Sequence, residues 1–417
     1  MRDNDVDLCG FAPASLRKPL TAQTDRTRLS VPGDYATVQH AIDAVAPGGT
    51  IVVGAGSHAG GFTVWKPVMI QGAGLESTVL APREGGKRLM SILHDAEIVT
   101  LEALTVAGTA GTGIDTNASL RLGGVKVTGH SVIGVSVRSA TQVDLQDVLV
   151  VENEGSGVVL VGLSLESELT LSNTTISNNR SGILGFGGEF NISDSTISNN
   201  REGGIHLSGD VQVEIVNSSI SQNQGDGFRH DLSFGDDTFI NITQSSLMSN
   251  EGNGLMILKS DGQVRLLETT VSDNGEDGIF VNGDARLELV DSTISNNRVN
   301  RLLLSSSAPS ELSGVTFADN RNHGVQVNGA QGVTLRDVTI ENNRLGGLCA
   351  HGDVQLDVSA ATISSNERDG VLLRGAAVLT LADSTIADNN AWGMAVYLES
   401  CGFTESDFSG EIALLSQ

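Results

Sequence analysis

Four residues in one part of the sequence have side chains suited to acid–base chemistry on a sugar acid. They are His206, Arg229, His230 and Asp231. An aspartate can orient a histidine that transfers a proton, and an arginine can hold a carboxylate through two hydrogen bonds. A uronan lyase or epimerase needs both functions, so these four are candidate catalytic residues. The alternative is a solvated loop that carries an ion pair.

Three aspartates near these residues are candidate ligands for a cation. Asp226, Asp236 and Asp237 supply carboxylate oxygens, which are the ligands that Ca²⁺ prefers. Ca²⁺ is therefore the candidate cofactor, and the sequence indicates no other. Three cysteines at unrelated spacings provide neither a disulfide framework nor a metal motif.

The elements that position these side chains follow from a repeat. One apolar anchor residue recurs about every 23 residues, at Val106, Val127, Val150, Ile176, Ile197, Ile220, Leu247, Val271, Ile294, Phe317, Ile340, Ile363 and Ile386. A regular period of this length indicates a solenoid rather than two or three globular domains. The interval from Ile220 to Leu247 is 27 residues, and extra residues in a turn can add a site without disturbing the stack.

The positions around each anchor indicate strands. In one repeat, Phe190 and Ile192 are apolar and two residues apart, Ile197 is the anchor, and Asn200 and Gly204 follow. A spacing of two is typical of a strand. We expect the asparagine to take the left-handed conformation of a sharp turn and to pass side-chain hydrogen bonds from coil to coil.

A further apolar segment, such as Ile205–Leu207, completes each repeat. Three short strands per coil of about 23 residues predict an all-β parallel β-helix. A leucine-rich repeat has a similar period but requires a Leu-x-x-Leu-x-Leu pattern with a helical segment, and neither is present. In register, His206 and Arg229 are then neighbours in adjacent coils, about 5 Å apart.

An N-terminal helix is predicted before the repeats. Val38, Ala41, Ile42 and Val45 fall on one helical face, and Asp34 can act as the N-cap. Such a helix would cover the open strand edge of the first coil.

The chain divides accordingly into four segments. Residues 1–28 are predicted to be flexible, 29–80 to form the N-terminal cap and first coils, 81–399 to form the β-helix, and 400–417 to form a C-terminal cap.

The segment Gly33–Gly74 and the coils of the Thr-Ile-Ser-Asn-Asn type resemble right-handed parallel β-helix proteins of the pectin-lyase-like superfamily, with repeats of the carbohydrate-binding and sugar-hydrolase type. The resemblance extends from about Leu29 to Glu399. It implies right-handed coiling and a relation to polysaccharide lyases, hydrolases, esterases and epimerases. The catalytic motifs of those enzymes are not found in this sequence.

Charge limits the partners. The sequence has 25 Lys+Arg and 50 Asp+Glu, so its net charge is 25 − 50 = −25. This excludes electrostatic binding of nucleic acid and disfavours unaided binding of acidic glycans. No apolar run is long enough to span a membrane, and we expect a monomer.

Two regular surfaces could also bind ligands. Glu189, Glu214, Arg265 and Glu288 are assigned to one outward column of the first strand and are candidate substrate-binding residues, against the alternative of a charged solvent face. A ladder of Ser and Thr before the anchors resembles ice-binding faces, although threonine is also common in strands.

These observations favour an extracellular or cell-surface β-helix protein that acts as a scaffold or a glycan-binding rod. A polysaccharide-active enzyme of the uronan lyase or epimerase type is the first alternative. An adhesion or ice-binding protein that uses the Ser/Thr ladder is the second.

Overall fold

A computed structural model describes residues 25–82, 87–108, 111–138, 142–162, 165–231, 238–299, 302–329 and 332–397, together with the backbone of three later strands in 402–415. It is a parallel β-solenoid of about 15 turns with coils of roughly 23 residues, and 57% of the chain is strand. The predicted right-handed parallel β-helix is thereby confirmed.

The strands of successive coils pair in parallel and form three sheets along the solenoid. The first sheet contains Arg28–Val31, Gly49–Val53, Val68–Gln71, Ile98–Ala107, Ser119–Thr128, Gln142–Gln146, Glu168–Ser172, Ile183–Ser193, Ile205–Val216, Phe239–Thr243, Gln263–Leu267, Arg286–Val290, Ser310–Ser313, Val333–Arg336, Gln355–Ser359, Val378–Ala382 and Gly402–Glu405.

The second sheet carries the anchors. It contains Gly56–Ala59, Thr78–Ala81, the later parts of Ile98–Ala107 and Ser119–Thr128, and then Leu149–Val151, Thr175–Ser177, Thr196–Ser198, Ser219–Ser221, Ser246–Met248, Thr270–Ser272, Thr293–Ser295, Thr316–Ala318, Thr339–Glu341, Thr362–Ser364, Ser384–Ala387 and Phe408–Ser409.

The third sheet carries the candidate catalytic residues. It contains Phe62–Val64, Arg88–Ile92, Thr112–Thr116, Ile133–Arg138, Ser156–Val161, the beginnings of Ile183–Ser193 and Ile205–Val216, and then Phe228–Asp231, Leu255–Ser260, Ile279–Gly283, Leu302–Ser306, Val325–Asn328, Leu348–His351, Val371–Arg374, Met394–Tyr397 and Ile412–Leu415.

The interior is filled by the inward residues of all three sheets. The anchors Ile197 and Ile220 and the residues Phe190 and Ile215 are each at most 1% exposed. One continuous apolar core runs through the described coils, and its burial is the main favourable term in the stability of the stack.

A buried asparagine ladder runs parallel to this core. We use the name Asn ladder for Asn153, Asn179, Asn200, Asn223, Asn250, Asn274, Asn297, Asn320, Asn343, Asn366 and Asn389. The side-chain amide of Asn200 donates to Oδ1 of Asn223 at 2.9 Å, and that of Asn223 donates to Oδ1 of Asn250 at 2.9 Å. The predicted hydrogen bonding from coil to coil is therefore present.

The predicted left-handed conformation belongs to a different residue. Positive φ values fall on the residue before the ladder, such as Asn199 with φ 55° and Gln222 with φ 57°. The turn thus bends one residue earlier, and the ladder asparagine points its side chain inward. The left-handed conformation and the coil-to-coil hydrogen bonds therefore belong to two adjacent residues, whereas the sequence interpretation assigned both to the asparagine of the ladder.

The N-terminal helix covers Val38–Ala44, and Val38, Ala41 and Ile42 are buried as predicted. Its N-cap is Thr37, which accepts a hydrogen bond from the backbone N–H of His40, so the assignment of Asp34 as the cap is wrong. Asp34 instead accepts hydrogen bonds from Ser30 and Arg26, which lower its pKa to about 2. Its carboxylate stabilises the turn between Ser30 and Asp34.

The two ends differ from the predicted divisions in detail. Arg28 already belongs to the first strand, and residues 1–24 lie outside the described part of the chain. At the other end, strands within 402–415 continue all three ladders as a further coil. The capping function of residues 400–417 stays a prediction. Among the described residues, no helix has the length and apolar character of a membrane span.

Candidate functional site

Strand alternation in the third sheet places two of the four candidate catalytic residues side by side. His206 and Arg229 are register partners in adjacent coils, and Asp231 is two residues beyond Arg229 on the same outward face. Phe228 and His230 alternate with them and point into the core. The adjacency expected from the 23-residue period is therefore present.

Asp231 links the other two outward side chains. His206 Nε2 lies 2.9 Å from Asp231 Oδ2, and Arg229 Nε donates to Asp231 Oδ1 at 3.1 Å and to Oδ2 at 2.9 Å. Arg229 Nη1 also lies 3.6 Å from Asp226 Oδ2. We call His206, Arg229, Asp231 and Asp226 the charged cluster.

Hydrogen bonds within this cluster set the ionisation of its members. Partial burial would raise the pKa of Asp231, but the hydrogen bonds from Arg229 and His206 outweigh it and lower that pKa. The hydrogen bond to Asp231 raises the pKa of Arg229. Both groups are therefore charged at neutral pH, and the aspartate holds the guanidinium and imidazole groups in place.

His230 is not part of this outward cluster, and its predicted position there is wrong. Its ring is fully buried, on the inward column between Leu207 and Ile257. His230 Nε2 donates to the backbone oxygen of Gly209 at 2.9 Å, while Nδ1 has no hydrogen-bond partner among the described residues. Burial lowers the pKa of His230, against smaller opposing effects of Gly209 and nearby aspartates.

We expect acid to destabilise the fold through His230. Its pKa is depressed in the folded state, so the unfolded chain binds more protons below about pH 6.5 and the free energy of unfolding falls there. His230→Leu should reduce the fall in melting temperature between pH 7 and pH 5. His351→Gln, at an exposed site on the same sheet, is the control. An unchanged pH dependence in His230→Leu would contradict this assignment.

Apolar residues lie next to the charged cluster on the same face. We call Val159, Val161, Leu184 and Phe186 the apolar patch; Val159 pairs with Leu184, and Val161 pairs with Phe186. Val161 is 44% exposed and Phe186 is 42% exposed. A shallow depression of about 220 Å³ joins the patch to His206 and Ser208. This grouping of exposed apolar and polar side chains around one depression makes it a candidate binding surface.

In two coils of this region the chain passes directly from the third sheet into the first sheet. Ile183–Ser193 and Ile205–Val216 each run from the third sheet into the first sheet as one unbroken strand. No separate loop therefore follows the third-sheet segment in these two coils. On the far side of the charged cluster, Met256 pairs with Arg229 and Leu258 pairs with Asp231.

The apolar patch, the outward residues His206, Arg229 and Asp231, and the residues beyond them lie on one face. We use the name third-sheet face for the outward residues of five successive coils: Val159, Val161, Leu184, Phe186, His206, Ser208, Arg229, Asp231, Met256 and Leu258. Four coil-to-coil steps of about 4.8 Å give this face a length of roughly 19 Å.

The predicted metal ligands are only partly described. Asp226 Oδ1 accepts hydrogen bonds from the backbone and side-chain nitrogens of Asn253, each at 2.8 Å. Asp236 and Asp237 lie outside the described residues. Within the described part of the chain, no group of three or more His, Cys, Asp or Glu side chains is placed to hold a metal ion. Binding of Ca²⁺ stays a prediction.

The first-sheet column differs from its assignment at one position. Glu214, Arg265 and Glu288 share the register through Asn241, but Glu189 does not. Glu189 pairs with Glu168 and Gln212, one outward position earlier, because Asn191 occupies the column in its coil.

Members of this column pair with one another. Asn241 Nδ2 donates to both oxygens of Glu214 at 2.8 Å, and Arg265 Nε donates to Glu288 at 3.2 Å. These contacts fit a charged solvent face as well as a ligand site. The role of Glu189, Glu214, Arg265 and Glu288 in binding substrate stays a prediction.

The Ser/Thr ladder is regular in the second sheet. Thr175, Thr196, Ser219, Ser246 and Thr270 are successive register partners. Their side chains are half-buried, on narrow strands of three residues each. Ice binding or adhesion by this ladder stays a prediction.

Comparison with protein-family models gives the family. The model described as a right handed beta helix region matches residues 110–274, 232–355 and 277–412, which together cover most of the sequence. The chain belongs to this family. In this β-helix protein the match includes every residue of the third-sheet face. A search of curated proteins found no match.

Some solved structures are similar to this chain at low sequence identity. The periplasmic alginate epimerase AlgG has 12% identity and a TM-score of 0.48, with 84% of this chain and 82% of that chain covered. The Azotobacter vinelandii mannuronan C-5 epimerase AlgE4 A-module has 16% identity and a TM-score of 0.38, with 86% and 91% covered. The catalytic domain of a GH87 α-1,3-glucanase has 13% identity and a TM-score of 0.36, with 93% and 69% covered. At these identities the likeness concerns the fold alone.

Proposed function

We propose that this β-helix protein binds an extended, neutral glycan along its third-sheet face. The observation that carries the proposal is the exposed apolar patch directly beside the charged cluster, joined to it by the depression at His206 and Ser208. The apolar face of a pyranose ring can pack on Val161 and Phe186. Its hydroxyl groups can exchange hydrogen bonds with the polar side chains that follow.

The spacing of the coils supports a chain that runs parallel to the rod. Adjacent strands are about 4.8 Å apart, and a flat, equatorially linked pyranose chain advances by roughly 5 Å per sugar. Each sugar would therefore lie over one coil. The third-sheet face would hold four to five sugars, with two on the apolar patch and two on the charged cluster.

The electrostatics of the cluster favour a neutral sugar at this point. Arg229 pairs with both Asp231 and Asp226, so two carboxylates face one guanidinium group in the cluster. A uronate carboxylate would have to compete with both aspartates for the guanidinium group. The net charge of −25 also disfavours an acidic sugar, through repulsion over a longer range.

A polysaccharide-active enzyme is the second candidate. His206 Nε2 lies within hydrogen-bonding distance of Asp231, and its side chain is 45% exposed beside the depression, where it could transfer a proton to or from a bound sugar. An ultraviolet assay for unsaturated uronate products tests the lyase form of this hypothesis. Product formation that His206→Ala abolishes would support it.

We further propose an extracellular or cell-surface location, because polymeric glycans are found there. In this setting the remaining coils act as the scaffold that holds the face. Secretion can be tested by fractionating the native host and probing each fraction with an antibody. Confinement of the protein to the cytosol would contradict the proposed location.

The proposed function is tested by a glycan-array screen of neutral and uronic oligosaccharides with two variants. Phe186→Ala should weaken binding at least fivefold because it removes the main apolar contact. Phe239→Ala is a matched control, since Phe239 is similarly exposed at 40% but lies on the first sheet. Equal binding by both variants, or no binding to any neutral glycan, would contradict the proposal.

A further inference from the structure

Two arginines share one buried aspartate near the N-terminal end of the third sheet. Arg88 Nε lies 3.0 Å from Asp115 Oδ2, and Arg138 Nε lies 3.1 Å from Asp115 Oδ1. Asp115 is 5% exposed, whereas the two arginine side chains are 35% and 44% exposed. Asp115 Oδ1 has no hydrogen-bond partner among the described residues, so its contact with Arg138 is an ion pair alone. Parts of both arginine side chains reach the surface.

The position of this group is tied to the third-sheet face by register. Asp115 pairs with Ser136, and Arg138 pairs directly with Val161 of the apolar patch. Arg138 therefore lies one coil, about 4.8 Å, before the patch, on the side away from the charged cluster. A chain that covers the patch and continues by one sugar would reach it.

This group contains two guanidinium groups and one carboxylate, the reverse of the charged cluster, which contains two carboxylates and one guanidinium group. Arg88 and Arg138 both pair with Asp115, in a protein whose net charge is −25. Guanidinium groups bind carboxylates through paired hydrogen bonds, and the ion pairs to Asp115 pre-orient them for this. The two ends of one surface thus differ in the sign of charge that they favour.

We infer that Arg88 and Arg138 hold the carboxylate of one acidic sugar at the end of the glycan bound on the third-sheet face. This inference rests on the proposed function. It assigns a polarity to the ligand: an acidic terminal sugar over Arg138, neutral sugars over Val161 and Phe186, and neutral sugars again over Arg229. A chain with acids throughout would meet Asp226 and Asp231 and bind less well.

The test uses calorimetric titration with three probes. These are cellohexaose, cellohexaose with glucuronate at its non-reducing end, and cellohexaose oxidised to an aldonate at its reducing end. One of the acidic probes should bind five- to tenfold more tightly than cellohexaose at low salt. In the double variant R88Q/R138Q that advantage should disappear, while the affinity for cellohexaose changes less than twofold.

The outcomes separate the two proposals. Tighter binding of an acidic probe that R88Q/R138Q leaves intact would overturn the inference, and so would equal binding of all three probes. Failure of every probe to bind would contradict the proposed function itself. Because the double variant leaves the buried carboxylate of Asp115 without these two arginines, a circular-dichroism melting curve equal to that of the wild type is needed to verify folding. The single variant R138Q, which leaves the Arg88 and Asp115 pair, should lose about half of the advantage on a logarithmic scale.

Discussion

Asn223→Ala should lower the free energy of unfolding by about 3 kcal/mol or more, which is a large effect for one polar side chain. Asn223 Oδ1 accepts from the backbone and side-chain nitrogens of Asn200, and its amide donates to the backbone oxygen of Ile197. Removal takes the side-chain acceptor away from the buried backbone N–H of Asn200, and the amide of Asn200 and the oxygen of Ile197 each lose one partner. Each such group costs about 1–3 kcal/mol.

Urea denaturation compared with a neighbouring control measures this effect. Gln224→Ala removes an exposed amide next to the ladder residue, and we expect it to change the free energy of unfolding by less than about 0.5 kcal/mol. If Asn223→Ala were as stable as Gln224→Ala, the Asn ladder would be an incidental feature of the turn. A disproportionate change in the denaturant slope would indicate that the stack unfolds in segments.

Asp231→Asn should reduce the affinity for a neutral glycan about tenfold, which corresponds to about 1.4 kcal/mol. The substitution keeps the shape of the side chain but removes the charge that holds Arg229 and His206. Because the pKa of Asp231 is lowered, this charge persists through the ordinary carboxyl range and is lost only at pH values below that range. Binding by the wild type should weaken in the same acidic interval, and binding by Asp231→Asn should not weaken further.

Glu288→Gln is the matched control for this prediction. Glu288 accepts a hydrogen bond from Arg265 on the first sheet, and its side chain is 36% exposed against 19% for Asp231, so the substitution breaks an Arg–carboxylate pair at a more exposed place. We expect unchanged affinity. A loss with Glu288→Gln and none with Asp231→Asn would transfer the site to the first-sheet column.

The sequence predicted the coil and the neighbours His206 and Arg229 because both depend on a period. Inward and outward positions were harder to assign where consecutive residues of a strand are all polar or all apolar. Arg229, His230 and Asp231 are all polar, so the inward direction of His230 is visible only when Phe228 is seen to occupy the previous core position.

The apolar patch was missed for the converse reason. The segment Ser156–Val161 ends in four consecutive aliphatic residues, and both of its faces therefore resemble core. Only the register with Leu184 and Phe186 separates the exposed side chains from the buried ones. Strict alternation from the buried Leu160 was the one signal that could have found the patch.

Ion pairs between long side chains that are not register partners could not be predicted from the sequence either. Arg88 and Arg138 are 50 residues apart in the chain and converge on Asp115 from the coils on either side of it. No motif marks them, because neither arginine is a register partner of Asp115. Each reaches Asp115 diagonally from a neighbouring strand. Glu189 shows the related difficulty that a coil of 21 residues shifts which polar residue occupies a column.

Methyl NMR of the protein titrated with cellohexaose tests the central claim most directly. We predict that the methyl signals of Val159, Val161, Leu184 and Leu258 shift together with one dissociation constant, while those of Thr196 and Thr270 on the second sheet do not move. Shifts confined to the second sheet, to the first-sheet column near Arg265, or to no methyl group at all would contradict glycan binding on the third-sheet face.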